Sequence, residues 1–148
     1  GKRNPKNYTE LMKVFSLFYF IIVGVITSYL FQEKTRKESI AEGQEIYQDF
    51  CVQCHLNSGE GVSGVFPPLK SSDYLLNNIE KSIAGIKYGL KGKIIVNDEI
   101  YNSVMLNQGL ENEEIADVMN YILNEWGNSF KKQITAQYVI EIQKTVLD

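Results

Sequence analysis

Both cysteines of the 148-residue chain and its only histidine fall within five consecutive positions, Cys51-Val52-Gln53-Cys54-His55. Whatever the chain folds into, it must bring these three side chains to one point. Two cysteines are too few for a disulfide framework, and one histidine is too few for a His-rich metal site. A zinc site would need a second pair of ligands, and no other Cys or His exists. A thioredoxin-type thiol pair sits where a strand runs into a helix, whereas the residues before Cys51 carry a helical pattern. Covalent haem attachment is the chemistry that remains. On the last turn of a helix, cysteines three apart lie on one side and can each add to a vinyl group of a porphyrin. The adjacent histidine is then directed at the iron. Cys51 and Cys54 are the expected attachment points and His55 the expected proximal ligand.

A second constraint is the run from Val14 to Phe31, 18 residues without a charge. As a helix it is roughly 27 Å long, close to the hydrocarbon thickness of a bilayer. Leu11 and Met12 extend it, Lys13 can snorkel to the headgroups, and Tyr8, Tyr29 and Phe31 fit interfacial aromatics. Charges on both flanks disfavour a buried core helix, and Ser28-Tyr29-Leu30-Phe31-Gln32 offers no small-x-small cleavage site. The expectation is a permanent single-pass anchor. Lys2, Arg3, Lys6 and Lys13 precede the run, while Lys34, Arg36 and Lys37 follow it, offset by Glu33 and Glu38. That bias favours a cytoplasmic N-terminus. Haem attachment to Cys-x-x-Cys-His occurs on the oxidising, outer side of energy-transducing membranes. Both features therefore place residues 32–148 on the periplasmic face of the cell membrane.

The exported part reads as helices around an irregular middle. Ile40, Gly43, Tyr47 and Phe50 fall on one face of a helix over 38–50. Residues 56–72 hold Gly59, Gly61, Gly64, Pro67 and Pro68 and read as a loop. Ser72 or Asp73 caps a helix through about Tyr88, with Gly89 or Gly92 available to end it. Residues 93–110 read as short and irregular. Asn112 caps the strongest helix, with Glu113 and Glu114 in its first turn and Ile115, Val118, Met119 and Ile122 repeating along one face. In the tail from Ile134 to Leu147, Val139, Ile142 and Val146 keep helical spacing.

An electron carrier with low-spin iron needs a second strong ligand, and no histidine remains for it. Met12 lies in the anchor, and Met119 belongs to an apolar helix face, where it reads as core filler. Met105 sits in the irregular segment, 50 residues after His55, where a loop can fold across the opposite haem face. It is the expected axial ligand. A thioether stabilises Fe(II) over Fe(III), so His/Met ligation raises the potential.

Residues 39–127 resemble a class I (mitochondrial-type) monohaem cytochrome c of the bacterial kind. The resemblance rests on Gly43-x-x-x-Tyr47 before CVQCH, Gly59-Glu60-Gly61, Phe66-Pro67-Pro68-Leu69, Ser72-Asp73-Tyr74-Leu75 and Gly89-Leu90-Lys91-Gly92. It continues with Tyr101-x-x-x-Met105 and with Ile115 through Ile122 before Trp126-Gly127-Asn128. It implies a small all-α fold around one covalently bound haem c, with first and last helices crossing where Gly43 meets the aromatic face near Tyr121. It further implies that the carbonyl of Pro67 accepts a hydrogen bond from His55 Nδ1–H, and that Tyr74, Tyr101 and Trp126 pack in the haem crevice. Such cytochromes usually have proline after the axial Met; here Leu106 follows, which is expected to loosen the ligand loop slightly. The tail, Thr135-x-x-x-Val139 after WGN, resembles cytochromes that are subunits or dedicated partners of larger assemblies.

The expected organisation is therefore 1–32 cytoplasmic flank and transmembrane anchor, 33–38 linker, 39–130 cytochrome c domain and 131–148 helical tail. The expected function is single-electron transfer between a quinol-oxidising respiratory complex and a terminal haem–copper oxidase, as a tethered carrier or a fixed subunit. The partners would be redox proteins and the membrane, with no small-molecule substrate and no catalytic residue. The alternatives are a cytochrome subunit of a periplasmic dehydrogenase, or a haem peroxidase or sensor with a labile sixth ligand. With 44% hydrophobic residues, a net charge of −3 and no long basic block, the composition suits neither a disordered chain nor a nucleic-acid binder. Residues 32–148 carry 11 basic and 17 acidic side chains, a net −6. Lys81, Lys87, Lys91 and Lys93 form a stretch free of acids, and Glu111, Glu113, Glu114 and Asp117 cluster opposite in sign. Either cluster could steer a partner or serve solubility alone.

Overall fold

The computed structural model describes residues 5–30 and 34–147. Lys2, Arg3, Phe31 and Glu33, which enter the anchor and orientation readings, lie outside the described residues, as do the side chains of Lys6 and Tyr29. The chain falls into two compact units, Gly1–Lys34 and Thr35–Asp148. The first holds one helix, α1 (Pro5–Leu30). Its window Leu11–Ser28 has a mean hydropathy of 2.0 and buries none of its residues. A helix so long and so apolar meets the length and composition of a membrane span or of a signal sequence.

The second unit begins at Thr35, whose Oγ1 accepts from the Glu38 N–H while the Glu38 carboxylate accepts from the Thr35 N–H at 2.9 Å. This reciprocal cap starts α2 (Arg36–Phe50) within the expected linker. The buried face of α2 is Ser39, Gly43 and Tyr47, and it lies against α6 (Asn112–Ile122). At Gly43 the helices touch through backbone: a Cβ there would stand 2.0 Å from the Asp117 carbonyl oxygen and 2.9 Å from Tyr121 Cβ. Helices in such contact cross and diverge. Phe50, expected on the buried face, is accordingly 43% exposed on the last turn. In α6, Glu111 rather than Asn112 is the cap, because its N–H is held by the Glu114 carboxylate at 2.7 Å. Every residue from Ile115 to Ile122 is buried, Met119 completely.

Between these helices lie α3 (Val52–His55), α4 (Asp73–Asn77) and α5 (Ile79–Tyr88). The single helix expected from 73 to 88 breaks at Asn78, which leaves helical geometry (φ −131°, ψ 55°) while its side-chain amide donates to the Tyr74 carbonyl. The segment expected to be irregular contains an antiparallel hairpin, β1 (Ile94–Val96) and β2 (Glu99–Tyr101), with Ile94 opposite Tyr101. Asn97 and Asp98 form its turn with φ of 50° and 65°, a left-handed pair that these two residue types tolerate. Asp73 and Asn97 exchange backbone-to-side-chain hydrogen bonds of 3.0 and 2.7 Å, which fasten the turn to the start of α4. Val96 and Tyr101 face inward, while Ile95 and Ile100 face solvent.

The tail is not one helix. It forms α7 (Ala136–Glu141), an extended residue at Ile142 and a 3₁₀ turn at Lys144–Leu147. Ile134, Val139 and Ile142 are buried in the same core as α2 and α6. Asn120 makes that docking specific, since its side chain donates to the Ile134 carbonyl and accepts from the Ile134 N–H, both at 2.8 Å. The same amide donates to Ser39 Oγ, which donates to the buried Asp117 carboxylate at 2.6 Å. Gly43→Ala puts a methyl group into the Asp117 carbonyl and should cost about 3 kcal/mol or more. Thermal unfolding of the haem-loaded protein measures this, with Gly24→Ala in α1, where no atom lies within 4 Å of a Cβ and the backbone is helical, as the comparison for a non-crossing glycine.

Candidate functional site

Cys51 ends α2, its N–H bonded to the Tyr47 carbonyl at 2.9 Å, and it also opens α3. The N–H groups of Cys54 and His55 both donate to the Cys51 carbonyl, at 3.2 and 2.9 Å, so the motif winds into one tight turn. Leu56 (φ 61°) stops it. The two cysteines form no disulfide with each other, and Cys51 is half-buried while Cys54 is exposed. Burial, reinforced by Cys54, pushes the Cys51 thiol up to about 12. That is the opposite of the depressed thiol of a disulfide oxidoreductase.

His55 is almost buried, and its Nδ1 lies 2.9 Å from the Pro67 carbonyl oxygen. A carbonyl can only accept, so Nδ1 carries the proton and Nε2 keeps its lone pair. Burial holds the imidazole below its usual range, opposed by the bond to Pro67. The ring is thus a neutral, oriented nitrogen donor. Tyr47, wholly buried, stacks on Tyr121 and Trp126 at centroid distances of 5.5 and 5.0 Å and donates its hydroxyl to the Leu56 carbonyl at 2.6 Å. It clamps the backbone immediately after the histidine. Burial pushes its phenol up, so it stays a donor. Asn128 holds the loop from the other side, donating to the Leu69 and Ile122 carbonyls and accepting from the Ser71 N–H.

Met105 approaches from the far side. Its N–H and carbonyl pair with Leu90 through two 2.8 Å hydrogen bonds, an isolated antiparallel bridge. Gly89 makes that approach possible: it has φ +81°, and a Cβ would lie 3.0 Å from the Met105 carbonyl oxygen. The loop is held by this bridge, so the loosening expected from Leu106 is offset by backbone pairing; Leu106 itself is 72% exposed.

Two adjoining cavities, of about 80 and 370 Å³, share His55, Pro67, Leu90, Ile94 and Met105 in their linings. Together they match the size of a small-cofactor site, roughly 300–1,000 Å³. The first adds Cys51, Tyr74 and apolar side chains of α5 and α6; the second adds Cys54 and Tyr101. Two thiols, one imidazole with a free lone pair and one thioether converging on an apolar slot fit a covalently attached haem. Among the described residues no group of three or more His, Cys, Asp or Glu side chains could hold a metal ion on its own. Pro67, Tyr74 and Tyr101 therefore line the cavities, whereas Trp126 lines neither and packs with Tyr47 and Tyr121.

Two charge clusters differ from their sequence appearance. Lys87 belongs to no open basic patch, because its ammonium donates to the Val139, Ile140 and Ile142 carbonyls and caps the end of α7. Asp117 is 3% exposed and belongs to the α2–α6 seam. Sequence reading missed Tyr47 and Asn128 as supports of the haem loop and the hairpin as a cavity wall. The alternation of Ile94, Val96, Glu99 and Tyr101 about Asn97-Asp98 was the available signal.

Comparison with known proteins agrees with this geometry. Residues 40–126 match the family described as cytochrome c. The chain is 38% identical over 112 residues to cytochrome c-552 of Thermus thermophilus, covering 70% of this chain and 85% of that protein. It is 29% identical over 107 residues to the cytochrome c subunit of the quinone alcohol dehydrogenase of Gluconobacter oxydans, covering 70% of this chain and 22% of that subunit. Replacing both Cys51 and Cys54 with serine should abolish haem staining on a denaturing gel, and replacing either alone should reduce it. Full staining of the double variant would refute covalent attachment at these residues.

Proposed function

The chain belongs to the cytochrome c family, as a class I monohaem electron carrier with covalently bound haem c, and from that premise we propose a membrane-anchored carrier on the outer face of the cell membrane. In this reading it takes single electrons from a quinol-oxidising complex and passes them to a terminal oxidase, tethered by α1 with its N-terminus in the cytoplasm. The observation that carries the electron-transfer reading is that His55 and Met105, from opposite sides of the domain, line the same cavities. Bound haem supplies a one-electron Fe(III)/Fe(II) couple.

The residues of the chain have defined tasks. Cys51 and Cys54 would hold the group by thioether bonds, and His55 Nε2 and the Met105 thioether would be its iron donors. The Pro67 carbonyl keeps His55 in one tautomer and raises its basicity. The side chains Leu75, Ile86, Val118 and Ile122 exclude water from the slot, which favours the less charged reduced state. Cys54, Val104 and Leu106 are exposed at the edge of the second cavity, the face open to a redox partner. The paired backbone at Met105 speaks against a peroxidase or sensor with a labile sixth position.

A second reading is the cytochrome subunit of a periplasmic dehydrogenase, favoured by the likeness to the Gluconobacter subunit. Copurification from native membranes in mild detergent separates the two by the neighbours recovered. Met105→Ala should leave haem attached, admit exogenous ligands and lower the potential by on the order of 0.1–0.3 V, within the ~0.8 V span set by axial ligation. Met119→Ala should do none of these, because that side chain is sealed in the helix core; redox titration of both variants decides. Since Lys87 is already engaged, electron transfer in intact membranes should change less than about tenfold between low and high salt. Steep salt inhibition would mark a mobile shuttle docking by charge.

A further inference from the structure

The His-bearing and Met-bearing sides of the crevice are joined by side chains as well as by the haem they would hold. Residues 62–66 form a tight turn in which Val62 and Phe66 pair through two 2.8 Å backbone hydrogen bonds, and Pro67, the acceptor for His55, follows directly. Glu99, on β2, reaches across to this turn. Its carboxylate accepts from Ser63 Oγ at 2.5 Å with one oxygen and from the Tyr101 hydroxyl at 2.8 Å with the other. Two residues before Met105, Ser103 Oγ donates to the Val65 carbonyl at 2.6 Å. Both ties lie beside the second cavity, whose lining includes Phe66, Pro67, Tyr101, Ser103 and Met105.

We propose that Glu99 and Ser103 are positioning residues that latch the Met105 segment to the Pro67 turn and so keep the thioether on the iron. The two ties act on the same boundary: one carboxylate fixes the strand that leads to Met105, and one hydroxyl fixes the residues just before it. The hydrogen bonds lower the ordinary carboxylate range of Glu99, chiefly through Ser63 and then Tyr101, as expected for a group held ionised by its donors. This rests on the reading of Met105 as axial ligand.

The test uses the haem-loaded full chain in detergent and measures cyanide association with the ferric form, which requires the thioether to leave. Glu99→Ala and Ser103→Ala should each speed association about three- to tenfold, the effect of losing one charge-assisted or well-formed hydrogen bond. Ser63→Ala should give a smaller increase, and Glu99→Gln, which keeps an acceptor, should fall between Glu99→Ala and the parent. Thr135→Ala, which removes the α7 cap at a residue lining neither cavity, should lower thermal stability without changing the association rate. Unchanged rates in Glu99→Ala and Ser103→Ala, or equal acceleration in Thr135→Ala, overturn the latch. The far-red thioether–iron band of the ferric parent protein separates the two levels of inference. If the band is absent, the ligand assignment and the latch both fall; if it is present with unchanged kinetics, the latch alone falls.

Discussion

The backbone contact between Gly43 and Asp117 sets the positions of nearly everything else. It lets α2 and α6 approach more closely than any side chain would allow, and the approach is fixed in register by Ser39, Asp117 and Asn120. One end of α2 delivers Cys51 and the haem-binding turn, while Val118 and Ile122 of α6 form part of the cavity wall. A polar network at such a seam does not add much net stability, since its groups were well solvated before folding. It excludes other registers, because a slip by one residue would bury a carboxylate without a donor.

Around that seam the fold leaves an apolar slot and surrounds it with backbone held at several points. Tyr47, Pro67 and Asn128 restrain the histidine side, and Leu90 restrains the methionine side. None of these contacts is strong alone. Their combined effect is to hold the helical turn that ends at His55 and the loop that carries Met105 in place on either side of the slot. That restraint comes from hydrogen bonds to backbone rather than from long regular elements.

Sequence alone showed the motif of Cys51, Cys54 and His55, the apolar face of α6 and the position of Met105, because each rests on a local pattern or a scarce residue type. It missed features that no local pattern or scarce residue type announces. Asn78 could have continued a helix; its break is set by its own side chain bonding back to Tyr74. The hairpin strands are three residues each, too short for alternation to stand out beside two flanking glycines. Lys87 and Asp117 looked like surface charges, and only the folded chain shows one capping α7 and the other buried against Ser39. Trp126 reads as a crevice residue from its place in a motif, yet the neighbours that occupy its ring are Tyr47 and Tyr121.

The bridge between Leu90 and Met105 separates the part of this loop that pairing fixes from the part that is open to change. Its geometry is written in backbone atoms and in the missing β-carbon of Gly89, while Val104 and Leu106 on either side of the methionine point to solvent. Substitution at 104 or 106 can therefore recolour the outer surface, in polarity or in bulk, without reshaping the backbone beneath it. For protein engineering this makes the loop a two-layer element: a path fixed by backbone pairing, and an editable skin that sets which molecules come near it.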